Sequence, residues 1–167
     1  RLLMLKIKLS ILLLISIVLL SCTQNYQNNK NQKFSIAYIG GEFDGLLLKN
    51  FLTSHLDSLN IYDPSSNLEL QTSISHSSNL YITNIDNTSD RENITSSLVV
   101  ELTNNEENCT IYKDKMTISQ FYVFASADKF LSNKKAVNKI KEDNTRELVK
   151  KLIRKLNFLE ISCIENG

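Results

Sequence analysis

The sequence predicts an α+β fold, a two-layer sandwich in which two helices lie on one face of a four-stranded, mostly antiparallel sheet. Two observations lead there. The spacing of apolar residues runs from two to helical, back to two, and to helical again, giving the order strand, helix, strand, strand, strand, helix. Both helical stretches carry a single apolar face, so both need a flat surface to cover, and one side of one sheet provides it.

Residues 1–21 read as a leader. Arg1, Lys6 and Lys8 form a basic flank, and Ile11 to Leu20 is an apolar run broken by Ser16. A spanning helix needs roughly 20 apolar residues, so the run has the proportions of a secretory signal instead. Leu19, Leu20 and Ser21 lead into Cys22 and resemble the lipobox of bacterial lipoproteins. The small Ser21 gives a peptidase access, and the Cys22 thiol takes the diacylglycerol. Cleavage leaves Cys22 as an amino terminus carrying a diacylglycerol and an N-acyl chain, each buried methylene contributing about 0.8 kcal/mol to a membrane anchor. No other cofactor is expected. Thr23 in place of aspartate favours, in such lipoproteins, export to the outer membrane.

Residues 22–33 are Asn/Gln-rich with nothing to bury, a tether between lipid and fold. The folded domain then spans 34–157. Phe34 to Ile39 is a first strand with Phe34, Ile36 and Tyr38 on one side, ended by Gly40 and Gly41. Asp44 is a plausible N-cap for a helix whose apolar residues recur from Leu47 to Leu59, with His55 inside that face. Asn60, Asp63 and the only proline, Pro64, turn the chain. From Leu68 the period is two through Ile82, with an interruption from His76 to Asn79. That pattern suits one long bulged strand or a hairpin, the former being preferred. Asn87 to Thr95 reads as a polar loop, Ser97 to Thr103 as a third strand, Asn104 to Asn108 as a turn, and Thr110 to Phe124 as a fourth strand. Val137, Ile140, Asn144, Leu148, Leu152, Ile153 and Leu156 form the stripe of the last helix, supported by the pairs Glu142 with Arg146 and Glu147 with Lys151. Residues 158–167 form a tail.

Charge is divided along the chain. Asp128 to Leu156 holds ten basic and four acidic residues, whereas Cys22 to Ala127 holds six basic and twelve acidic. A basic helix on an acidic body points to an anionic partner at one place. Arg91 is the only arginine between the leader and that helix, in the loop opening the third strand, and Lys134 and Lys135 begin the helix. Arginine can fork onto a phosphate and lysine acts as a point charge, so these three residues suit a phosphorylated glycolipid. Nucleic acid is not expected as a partner of an exported chain. Cys109 and Cys163 would meet an oxidising compartment, and spacing alone leaves open whether they pair. His55 and His76 stand at no ligand spacing, so no metal site is expected. There is no Gly-rich phosphate loop, no G-x-S-x-G elbow and no H-E-x-x-H pair, and an enzyme is not expected.

The stretch FYVFASADKFLSNKKAVNKIKEDNTRELVKKLIRKL, from Phe121 to Leu156, together with the lipobox and the element order, resembles the LPS-assembly lipoprotein LptE family. In it an aromatic strand end runs through the small residues Ser126 and Ala127 into a long helix ending in LIRKL. The resemblance implies an outer-membrane lipoprotein at the periplasmic face that plugs the LptD β-barrel, helps it assemble and binds lipopolysaccharide. The family's basic contacts fall on Arg91 and on Lys134 or Lys135. This chain departs from the family in Ser21 before the lipid cysteine, in Asn-rich turns where the family has glycine, and in Cys109 and Cys163. An auxiliary lipoprotein of an ABC-type lipid transport system is the alternative reading.

Overall fold

A computed structural model describes residues 32–82, 90–123 and 130–164. The elements are β1 (Ser35–Gly40), α1 (Glu42–Ser58), β2 (Leu68–Ile82), β3 (Asp90–Asn104), β4 (Cys109–Val123) and α2 (Phe130–Asn157). They build one sheet in the order β1-β2-β3-β4, with β1 parallel to β2 and the remaining pairs antiparallel. The fold is the α+β sandwich read from the sequence.

Alternation along β3 sets the layers. Ile94, Ser96, Leu98, Val100 and Leu102 are all buried beneath the helices, and the residues between them face away. Leu48, Leu52 and Leu56 of α1 and Leu148, Val149, Leu152, Ile153 and Leu156 of α2 close over them in one core. At about 1.5–3 kcal/mol for each fully buried aliphatic side chain, this layer is the main favourable term holding helices to sheet. Arg146 of α2 also lies over the Phe51 ring of α1, 4.9 Å from its centroid, joining the two helices. β2, β3 and β4 each run 15 residues, about 50 Å at 3.3 Å per residue. The sheet therefore has a base, where the chain enters β1 and β3 turns into β4, and a distant tip, where β4 ends and α2 begins.

Several local expectations are corrected. The register of β1 against β2 shifts between Ile36 and Tyr38, so Phe34 is buried while Tyr38 is 62% exposed. Asp44 does not cap α1. The cap position is Gly41, with φ 117° and no side-chain hydrogen bond, and a Cβ there would lie 2.5 Å from the Ile74 carbonyl oxygen, which only glycine tolerates. β2 is one strand, as preferred, but its pairing with β3 is continuous from Leu68 to Ile82 without the expected bulge. β3 begins at Asp90 rather than Ser97, because ladders on both sides hold its polar start. In α2, Glu142 pairs with Arg146 as expected at 2.8 Å. Glu147 instead takes Lys150 at 2.7 Å rather than Lys151.

The base is tied together covalently. Cys109 and Cys163 are disulfide-bonded with Cα atoms 5.7 Å apart, which resolves the pairing that spacing left open. Beyond α2 the chain packs Leu159 and Ile161 on the core, and the Ile164 amide donates to the Thr110 carbonyl at 2.8 Å.

Candidate functional site

The helix-free face of the sheet is polar over its length and changes character at the tip. Near the base it carries charge, including the Glu101–Lys113 pair at 3.1 Å. Further up, serine and threonine dominate, with Thr95 and Ser119 hydrogen-bonded across β3 and β4 at 2.8 Å. At the tip Arg91 sits in a row with Tyr81 and Val123, which flank it on β2 and β4. Tyr81 and Phe121 are exposed and their rings are tilted together at 6.1 Å between centroids. Arg91 is thus a strand residue, the second of β3, and not the loop residue that composition suggested. The strand fixes its backbone and leaves its side chain exposed among apolar neighbours, where a guanidinium can meet an anionic group.

Lys134 and Lys135 lie at the same end but on the other side of the sheet. The Tyr122 hydroxyl bonds the Asn133 side chain, so the first turns of α2 rest beside the end of β4 on the helix-covered face. Phe130 and Leu131, 68% and 73% exposed, precede the two lysines by one turn and share their faces of the helix. Lys139, Arg146, Lys150 and Lys155 all pair with acids, whereas Lys134 and Lys135 have no ion pair among the described residues. The structure therefore gathers three cations at the tip without bringing them into one pocket: Arg91 is on one face and the two lysines are above the other. A hollow of about 160 Å³ on the helix-free face, lined by Tyr38, Gln71, Ser73, Val99 and Glu101, lies lower down and is too small to enclose an acyl chain cluster.

One polar cluster was not legible in the sequence. His76 of β2 has a side chain only 1% exposed. Its Nδ1 lies 2.7 Å from the Ser96 hydroxyl, and Ser96 also accepts from Asn144 Nδ2 at 3.0 Å. The Ser96 oxygen has two lone pairs, so either the hydroxyl or the imidazole can supply the proton of the His76–Ser96 bond. The ring's Nε2 is buried 3.8 Å from an Asp44 carboxylate oxygen and has no hydrogen-bond partner among the described residues. Burial holds the His76 pKa below its ordinary value; Asp44 opposes that shift and Lys141 adds to it. Asp44, His76 and Ser96 follow the order of a hydrolase triad, yet Ser96 is fully buried, so the arrangement joins α1, α2 and the sheet rather than meeting a substrate. The apolar stripe marks Asn144 as anomalous; only the strand register reveals its partners.

Glu107 stands beside the disulfide, and its carboxylate with the two sulfurs forms a compact donor group. Joined to each other, the sulfurs offer no thiolate to a metal. Cys22 lies outside the described residues.

The fold, two helices returned to one face of a mixed four-stranded sheet, is shared with bacterial lipoproteins. The chain is similar in fold to a minor lipoprotein from Acinetobacter baumannii, with a TM-score of 0.58 and 12% identity over 80% of this chain and 97% of that one. Rare lipoprotein B from Shewanella oneidensis gives 0.60 and 9%, over 75% and 93%. A lipoprotein B from Nitrosomonas europaea gives 0.55 and 11%, over 78% and 87%. At these identities the likeness is one of fold. No family model matches the sequence, and no curated protein is similar to it.

Proposed function

We propose that this chain is an outer-membrane lipoprotein of the LptE type, which seats in the LptD β-barrel, helps it assemble and binds lipopolysaccharide on its way to the cell surface. Cys22 carries the lipid anchor, and the domain works by binding, without catalysis or cofactor. The observation that carries this reading is the helix-free sheet face: below the apolar tip, the 15-residue strands present mainly serine, threonine and charged side chains, a surface suited to a wet, polar lumen. The shared lipoprotein B fold and the leader ending in Cys22 support it.

Lipopolysaccharide is gripped at the tip. Arg91 takes a phosphate from one side of the sheet, and Lys134 or Lys135 takes anionic groups from the other, with Tyr81, Phe121, Phe130 and Leu131 offering apolar contact. A hydrogen bond to a charged group contributes about 1.5–3 kcal/mol, so Arg91→Glu should weaken lipopolysaccharide binding at least about tenfold while leaving the circular dichroism and thermal unfolding unchanged. Equal binding by the variant would remove Arg91 from the site.

A further inference from the structure

We infer that the outer edge of β4 pairs with the same edge of a second copy of this chain. The edges of the sheet are guarded unequally. At the base, β1 covers β2 from Glu69 to Ser73, Ile164 donates to Thr110, and Lys113 and Lys115 place charge on β4. Toward the tip these devices stop. Met116 to Val123, MTISQFYV, has no charge, proline or glycine, and among the described residues no strand lies on the outer side of β4. A β-prone strand with unpaired backbone groups is a template for another strand.

The Ile164 bond fixes which backbone groups point outward. In an antiparallel ladder, residues bonded to the neighbour alternate with residues turned away. Thr110, opposite Thr103, is turned away because its carbonyl accepts from Ile164. Past the bulge that sets Tyr112 opposite Leu102, the outward residues are therefore the odd ones, including Thr117, Ser119, Phe121 and Val123. These require an extended backbone as their partner.

A second copy meets that requirement. An antiparallel pair centred on Gln120 sets Thr117 opposite Val123 of the second copy and Ser119 opposite Phe121. Each outward amide then faces an outward carbonyl, and helix-covered faces stay on the same side. Lys115 falls outside the paired segment, so no cation opposes another. On the helix side Ile118 meets Tyr122, an aliphatic–aromatic pair of the kind that stabilises sheets. Contact along an edge is small beside the roughly 1,200 Å² of a lasting interface, so association depends on concentration. The dimer is the unseated form of the domain, since a partner enclosing the tip leaves no room for it.

Sedimentation of the full chain in detergent solution tests this. The wild type should move from the mass of one chain toward two as concentration rises. Thr117→Pro removes an outward N–H and no bond to β3, a place where an edge strand accepts proline, and should stay at the mass of one chain with native circular dichroism. A wild type that remains monomeric throughout, or a Thr117→Pro chain that associates like the wild type, overturns the proposal. Gln120→Cys keeps the test decisive should the proline variant not fold. Mild oxidation should link two chains through the introduced cysteines, mapped by mass spectrometry, and failure to link them overturns the proposal equally.

Discussion

Replacing both halves of the Cys109–Cys163 bond, by Cys109→Ser with Cys163→Ser, should lower the stability of the domain by about 4 kcal/mol. The bond closes a loop with a sequence separation of 54. Loop-closure entropy for that length is about 14 cal/mol/K, or about 4 kcal/mol at 25 °C, toward the upper end of disulfide effects. The folded state itself changes little, because Leu159 and Ile161 pack on the core and Ile164 bonds Thr110 with or without the sulfurs. The cost therefore sits in the unfolded chain, freed to explore more conformations. Urea denaturation followed by circular dichroism measures it. With a slope of about 1–3 kcal/mol/M, the midpoint should fall by between about 1 and 4 M at an unchanged slope. Wild type held in reductant should superimpose on the double variant. Midpoints agreeing within about 0.2 M would refute the reasoning, since that corresponds to well under 1 kcal/mol.

The buried histidine gives a pH prediction. Its folded pKa is lowered, so below about 6.5 the unfolded chain binds the proton first. Stability is fully present above that pH and falls as the pH drops through the window beneath it; His76→Gln should flatten that part of a stability-against-pH curve, and an unchanged slope would exclude His76 as its source. Gly41→Ala should destabilise by about 1–3 kcal/mol, because alanine at φ 117° is strained and its Cβ meets the Ile74 carbonyl; thermal unfolding reads the loss. Leu98→Ala, at the centre of β3 and fully buried, should cost about 2–5 kcal/mol in chemical denaturation, and a loss under 1 kcal/mol would contradict the core described.

The architecture was readable because burial imposes a period. Leu98, Val100 and Leu102 alternate with residues facing water, and Leu148, Leu152 and Leu156 recur once per turn. Where residues are polar on both faces the signal vanishes. Asp90 to Thr95 lies within the stretch Asn87 to Thr95 that reads as a polar loop, and becomes strand through ladders that pair Arg91, Glu92 and Asn93 with Tyr81, Leu80 and Asn79 on one side and with Val123, Tyr122 and Phe121 on the other. Arg91 was singled out by its charge, but its face of the sheet depends on that register, as does its separation from Lys134 and Lys135. His76 read as an interruption of β2 because its partners Ser96, Asn144 and Asp44 come from three other elements. Asp44 resembled a cap because aspartate often is one; Gly41, pressed against Ile74, took the position instead.

Affinity purification of the full chain from detergent-solubilised envelopes of its own cell tests the proposed role most directly. The account predicts that an outer-membrane β-barrel protein comes with it in near-equal amount. Recovery with an inner-membrane permease or its substrate-binding subunit would contradict it and point to an auxiliary lipoprotein of lipid transport.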